Sequence, residues 1–133
     1  MKITKKNSMN FLIIDCALDK IHFFLQFNSN TYNKSFQSTK INYEKLSILL
    51  FEFLRENNIN LDKLTNILVN QGPGNFSGIR ASIALAKGLS IANKIELYGF
   101  SSNNFESKDY EYVISLCKKG ILKKNLITPI YMG

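Results

Sequence analysis

The chain has 133 residues, 45% of them apolar and 20% charged, with a net charge of +7. That is enough for one domain with its own core and an ordinary globular composition; no apolar run is long enough to span a bilayer, and Cys16 and Cys117 are too few for a disulfide framework. Basic residues outnumber acidic ones 17 to 10, but they are dispersed rather than gathered into the stripe that nucleic-acid binding needs.

In chain order, residues 1–8 are basic and the apolar stretch after them is broken by Asp15, which argues against a secretory signal. A reduced, cytoplasmic protein with two small apolar thiols is therefore expected, with no membrane segment. Residues 9–16 read as a buried strand and Asp19-Lys20 as a turn. Residues 21–27, rich in Phe and Ile, read as a second strand; Asn28-Ser29-Asn30 is a turn, and residues 31–39 pair back as a third strand. Asn42 opens a helix that stops at Asn57-Asn58. A strand over 64–70, a helix over 78–93 and a strand over 95–100 follow, then a helix from Asp109 to Lys119 ending at Gly120. Two such crossovers imply parallel pairing in the second half of the sheet.

The most informative segment is Gln71-Gly72-Pro73-Gly74-Asn75-Phe76-Ser77-Gly78-Ile79-Arg80. It joins an apolar strand to a helix N-terminus. Free amides around Gly72, Gly74, Ser77 and Gly78 can hold an anion, or the glycines can simply let the chain turn sharply. The spacing fails the P-loop, and Ser77 stands where a dinucleotide fingerprint needs its third glycine.

Gly72 to Arg80 resembles the Gly-Pro-Gly-Ser-Phe-Thr-Gly-x-Arg signature of the TsaB (YeaZ) family. Ala84-x-Ala86-Lys87-Gly88-Leu89 is similar to that family's following helix. Ile13-Ile14-Asp15-Cys16-Ala17 resembles its opening strand end, and Pro129-Ile130-Tyr131-Met132 its closing tail. The resemblance implies an actin-like (ribonuclease-H-like) α/β lobe with a mixed five-stranded sheet and flanking helices. It also implies a non-catalytic subunit of the complex that makes threonylcarbamoyladenosine in tRNA. In that complex such proteins support a TsaD-type catalytic subunit, with a TsaE-type ATPase as third member and tRNA engaged indirectly. Only residues 101–108 stand where the family usually carries a second lobe. A single lobe spanning 1–133, with the last helix and tail retained, is expected.

Catalytic chemistry has little to draw on. His22 is the one histidine, alternates with apolar residues, and lacks the companions that a metal or a nucleophile would need. The superfamily's catalytic relative uses paired helix histidines for metal, and none are present here; where many TsaB-like chains start the first helix with His-Ser or His-Thr, this one has Asn42-Tyr43. Asp15 ends the first strand, where actin-like ATPases place a metal- or phosphate-directed carboxylate; a turn-capping role is open too. No catalytic residue, metal or cofactor is assigned. A glycoprotease-like metallo-enzyme and a self-associating remnant outside RNA modification are the alternatives.

The helices carry the remaining signal. Leu46, Leu49, Leu50, Phe53 and Leu54 form one stripe, with Ile48 and Phe51 outside it. In the next helix Ile79, Ile83, Ala86 and Leu89 form one face; Ala81, Ala84, Gly88 and Ala92 line the other. A helix apolar on both sides is buried on both sides, against the neighbouring helix of the same chain or in an intermolecular bundle. The resemblance favours the bundle: Ile48, Phe51, Ala81, Ala84, Gly88 and Ala92 are the expected interface, to the TsaD-type subunit or to a second copy as a homodimer.

Overall fold

The computed structural model describes residues 9–104, 109–124 and 126–130. The closing Tyr131-Met132 pair and part of the 101–108 connection lie outside the described residues.

Three strands, β1 (Phe11–Asp15), β2 (Lys20–Phe27) and β3 (Asn30–Gln37), form the expected antiparallel meander. Asn28 and Ser29 turn the second hairpin with φ of 52° and 71°, a left-handed conformation that asparagine tolerates. Two helical segments follow, α1 (Lys40–Glu44) and α2 (Leu46–Glu56), then β4 (Asn66–Asn70), α3 (Phe76–Asn93), β5 (Glu96–Phe100), α4 (Tyr110–Lys118) and the two-residue β6 (Lys123–Lys124). The sheet order is β3-β2-β1-β4-β5-β6. β1 pairs with β4, and β4 with β5, in parallel, as the crossovers require.

Two expectations need correction. The sheet has six strands rather than five: β6 runs antiparallel to β5, with Lys124 opposite Tyr98. Two consecutive lysines carry no alternation from which a strand could be read. The helix expected from Asn42 starts at Lys40, because Thr39 is the cap; its hydroxyl oxygen accepts from the Asn42 amide at 3.1 Å. That helix is also broken at Lys45 (φ −115°, ψ 31°), so α2 is a separate segment that aims its apolar stripe at the sheet.

The sheet divides the core in two. Leu12, Ile14, Ile67 and Val69 point to one side, covered by α2 and α3 through Leu50, Phe53, Leu54, Ile79, Ile83 and Ala86. Phe11, Ile13, Leu68 and Phe100 point to the other, covered by α4 through Tyr110, Val113, Ile114 and Cys117. β1 and β4 are buried at every position, as central parallel strands covered on both faces must be. On the α4 side the outer strands are partly polar: Phe24 on β2 still packs on that core, whereas His22 on β2 meets Ser35 on β3, Nδ1 to Oγ at 2.7 Å. A single short helix therefore suffices to close that face.

Candidate functional site

The glycine turn packs β4 and α3 against the end of β1. Asn70 closes β4 and its side-chain oxygen accepts from the Gly72 amide (2.8 Å) and the Ser102 hydroxyl (3.1 Å). The Gly72–Pro73 peptide is cis, and Gly72 has φ 103°, a conformation reserved for glycine. The Asn75 amide donates to the Ala17 carbonyl at 2.7 Å. The Asn75 side chain caps α3 by accepting from the Gly78 amide at 3.0 Å. A Cβ at Gly74 would overlap the Ala17 carbonyl oxygen, and one at Gly78 the Cys16 carbonyl oxygen. These glycines are spent on close approach, and the amides of Gly72 and Gly78 donate inward to Asn70 and Asn75. Ser77 is exposed on the first turn of α3.

Gln71 ties the tail to this turn. Its side-chain nitrogen donates to the Thr128 carbonyl at 2.8 Å, and its own carbonyl accepts from the Ile130 amide at 2.7 Å. The Gln71 side chain lies where a Cβ at Gly99 would be, so β5 carries glycine there.

Asp15 is fully buried at the junction of both cores. Its Oδ1 accepts from the Asn70 side-chain amide at 3.0 Å and from the Ala17 amide at 3.1 Å; Oδ2 accepts from the Tyr110 hydroxyl at 2.6 Å. The carboxylate thus caps the end of β1 and docks α4. Burial first, then the neighbouring Asp15 charge, raises the Tyr110 hydroxyl pKa well above its ordinary value. The thiols are likewise silenced: burial raises Cys117 to about 11 and pushes Cys16 higher still, with Asp15 adding to the Cys16 shift. Neither supplies thiolate near neutrality. His22 sits 6.2 Å from Tyr110, ring to ring. Among the described residues no three His, Cys, Asp or Glu side chains converge on one point, and no helix is long and apolar enough to cross a membrane.

The helix faces divide as their periodicity implies. All five residues of the α2 stripe, and Ile79, Ile83, Ala86 and Leu89 of α3, are buried. Ile48 and Phe51 are 54% and 44% exposed. Ala84, Gly88 and Ala92 are exposed, and Ala81 is half-buried against the sheet-side core. A Cβ at Gly88 would meet nothing within 4 Å. Among the described residues, nothing covers Ala84, Gly88 and Ala92 on the second apolar face of α3. Sequence reasoning missed Ile91, 81% exposed on the same outer side; an isoleucine among alanines was its signal. It also missed Asn70, Gln71 and Tyr110, whose roles depend on partners distant in sequence.

Comparison with known proteins fits this geometry. The profile of the family described as TsaD, tRNA N6-adenosine threonylcarbamoyltransferase, matches residues 38–105. TsaB, a tRNA threonylcarbamoyladenosine biosynthesis protein of Buchnera aphidicola subsp. Schizaphis graminum, is 31% identical over 91 residues, 68% of this chain and 43% of that protein. YeaZ from Pseudomonas aeruginosa superposes with a TM-score of 0.66 at 20% identity, over 71% of this chain and 44% of that one. RuvC of T. thermophilus, in complex with a Holliday junction substrate, superposes at 0.56 with 7% identity, over 89% of this chain and 100% of that one. The last two speak to the fold alone, an actin-like, ribonuclease-H-like lobe. The chain spans less than half the length of the TsaB and YeaZ relatives it matches. The profile covers the stretch from the start of α1 past the end of β5, just over half of the chain, and on that ground the protein belongs to the TsaD family, in its TsaB (YeaZ) branch.

Proposed function

We propose that this protein is a non-catalytic partner subunit in tRNA threonylcarbamoyladenosine biosynthesis, acting in the cytoplasm. It seats a TsaD-type catalytic subunit on the outer faces of α2 and α3, through Ile48, Phe51, Ala81, Ala84, Gly88 and Ala92. A TsaE-type ATPase joins the same assembly, and tRNA is engaged through the partners. In isolation the same face pairs two copies with twofold symmetry. The chain is a one-lobe form in which α4 and the tail follow β5 directly.

The observation that carries this reading is the uncovered apolar surface on two adjacent helices whose inner faces are already committed to the sheet. Exposed apolar surface of that kind marks an interaction site. Asp15, the thiols and His22 are all engaged in packing or internal hydrogen bonds, which suits a supporting role better than a catalytic one.

Co-purification of the full chain with the TsaD-type protein of the same organism tests the reading, with Ala84→Arg as the control. Ala84 is exposed, so the variant is expected to fold with wild-type circular dichroism. A charge buried without a partner costs several kcal/mol, so association is expected to weaken by at least ~3 kcal/mol, about a hundredfold or more. Unfolding of the variant would place that face inside the chain. Undiminished pairing would put the interface elsewhere.

A further inference from the structure

The outer face of α3 is electrically one-sided. Its 18 residues include no Asp or Glu, whereas Arg80, Lys87 and the capping Lys94 recur every seven residues. That spacing is close to two helical turns, so Arg80 and Lys87 lie on one edge beside Ala84, Gly88 and Ile91, with Lys94 following them at the left-handed cap (φ 56°). Arg80 is held over the Phe76 ring at 5.2 Å, which orients the guanidinium at the rim. Nearby carboxylates are already engaged: Glu44 with Lys40 at 3.6 Å, and Glu56 with Lys34 at 3.0 Å. On α2 the remaining charges are Glu52 and Arg55, one of each sign. The apolar face is therefore bordered by basic charge in excess.

Resting on the scaffold reading above, we propose that Arg80, Lys87 and Lys94 form a selectivity edge. The partner it accepts is a protein helix whose own rim carries carboxylates, seated over Ala84 and Gly88. A second copy of this chain fits the apolar face equally well but brings a second basic edge into the same contact. Like charges brought together at a rim penalise the wrong partner, and opposite charges speed and hold the right one. The small residues permit approach of any helix; the basic row distinguishes an acidic heterologous partner from self.

The two pairings must then respond to salt with opposite sign, because ions screen attraction and repulsion alike. The test measures binding of the full chain to the TsaD-type protein of the same organism, and self-association by sedimentation, at about 50 and about 500 mM NaCl. Between those concentrations the hetero-complex is expected to weaken about tenfold while the homodimer tightens. Arg80→Gln/Lys87→Gln is expected to weaken the hetero-complex about three- to tenfold at low salt, to remove most of its salt dependence, and to tighten the homodimer. Hetero-binding indifferent to both salt and the double substitution overturns the selectivity edge and leaves the scaffold reading standing. No hetero-binding at either salt overturns the scaffold reading and the edge with it. Binding of a tRNA transcript by the chain alone, lost in the double variant while hetero-binding is kept, assigns the row to RNA and overturns the proposal.

Discussion

Gly78→Ala is expected to destabilise the chain by about 3 kcal/mol, the upper end of overpacking costs. Its new Cβ would overlap the carbonyl oxygen of Cys16, a backbone atom held at the end of a fully buried strand. The only relief is to lift the start of α3 off β1. That strains the Asn75 cap and the Asn75-to-Ala17 hydrogen bond together. Gly88→Ala, the same change ten residues later in the same helix, is expected to have the opposite sign. Its Cβ meets nothing, and alanine is favoured over glycine within a helix by ~0.5–1 kcal/mol. Urea unfolding followed by circular dichroism measures both. A Gly78→Ala midpoint equal to that of the wild type would mean that α3 does not press on the strand end.

The second large effect is expected at Tyr110→Phe. The hydroxyl is the sole described donor to Asp15 Oδ2, at 2.6 Å, and the carboxylate is fully buried. Removing a donor from a buried charged acceptor costs ~1.5–3 kcal/mol. The loss should extend to α4, because this bond ties that helix to the end of β1. The cost is expected to depend on pH in a defined direction. Burial and the Asp15 charge raise Tyr110 above the ordinary tyrosine value of 10.0, so above about pH 10 an unfolded chain releases that proton while the folded chain retains it. Stability contributed by Tyr110 is therefore complete below pH 10 and is lost as pH rises beyond it. Phenylalanine has no such proton. The stability gap between wild type and Tyr110→Phe should be widest near pH 8 and narrow above pH 10, as measured by urea titrations at the two values. A gap that widens in alkali would contradict the Asp15–Tyr110 bond.

Much of the fold was legible in the chain because the relevant physics is local. The stripe Leu46, Leu49, Leu50, Phe53, Leu54 repeats at the helical period and can bury only one way. Asn28-Ser29 and Asn57-Asn58 supply turn and stop chemistry whatever surrounds them. The Gly72–Arg80 segment announces a strand turning into a helix, and the apolar residues left over on α2 and α3 announce a surface to be covered. What tertiary structure decided is which atoms lie opposite one another. Gly78 and Gly88 stand in one helix, yet one lies against the Cys16 carbonyl and the other faces open space. Asp15 reads as a candidate metal or phosphate carboxylate until Tyr110, 95 residues away, is seen donating to it. Lys45 gives no warning of a helix break, and Lys123-Lys124 no warning of a strand, because each is imposed by the element it packs on or pairs with. Periodicity specifies the face of an element; only the closing of long-range contacts specifies what that face meets, and the cost of a substitution is set by the latter.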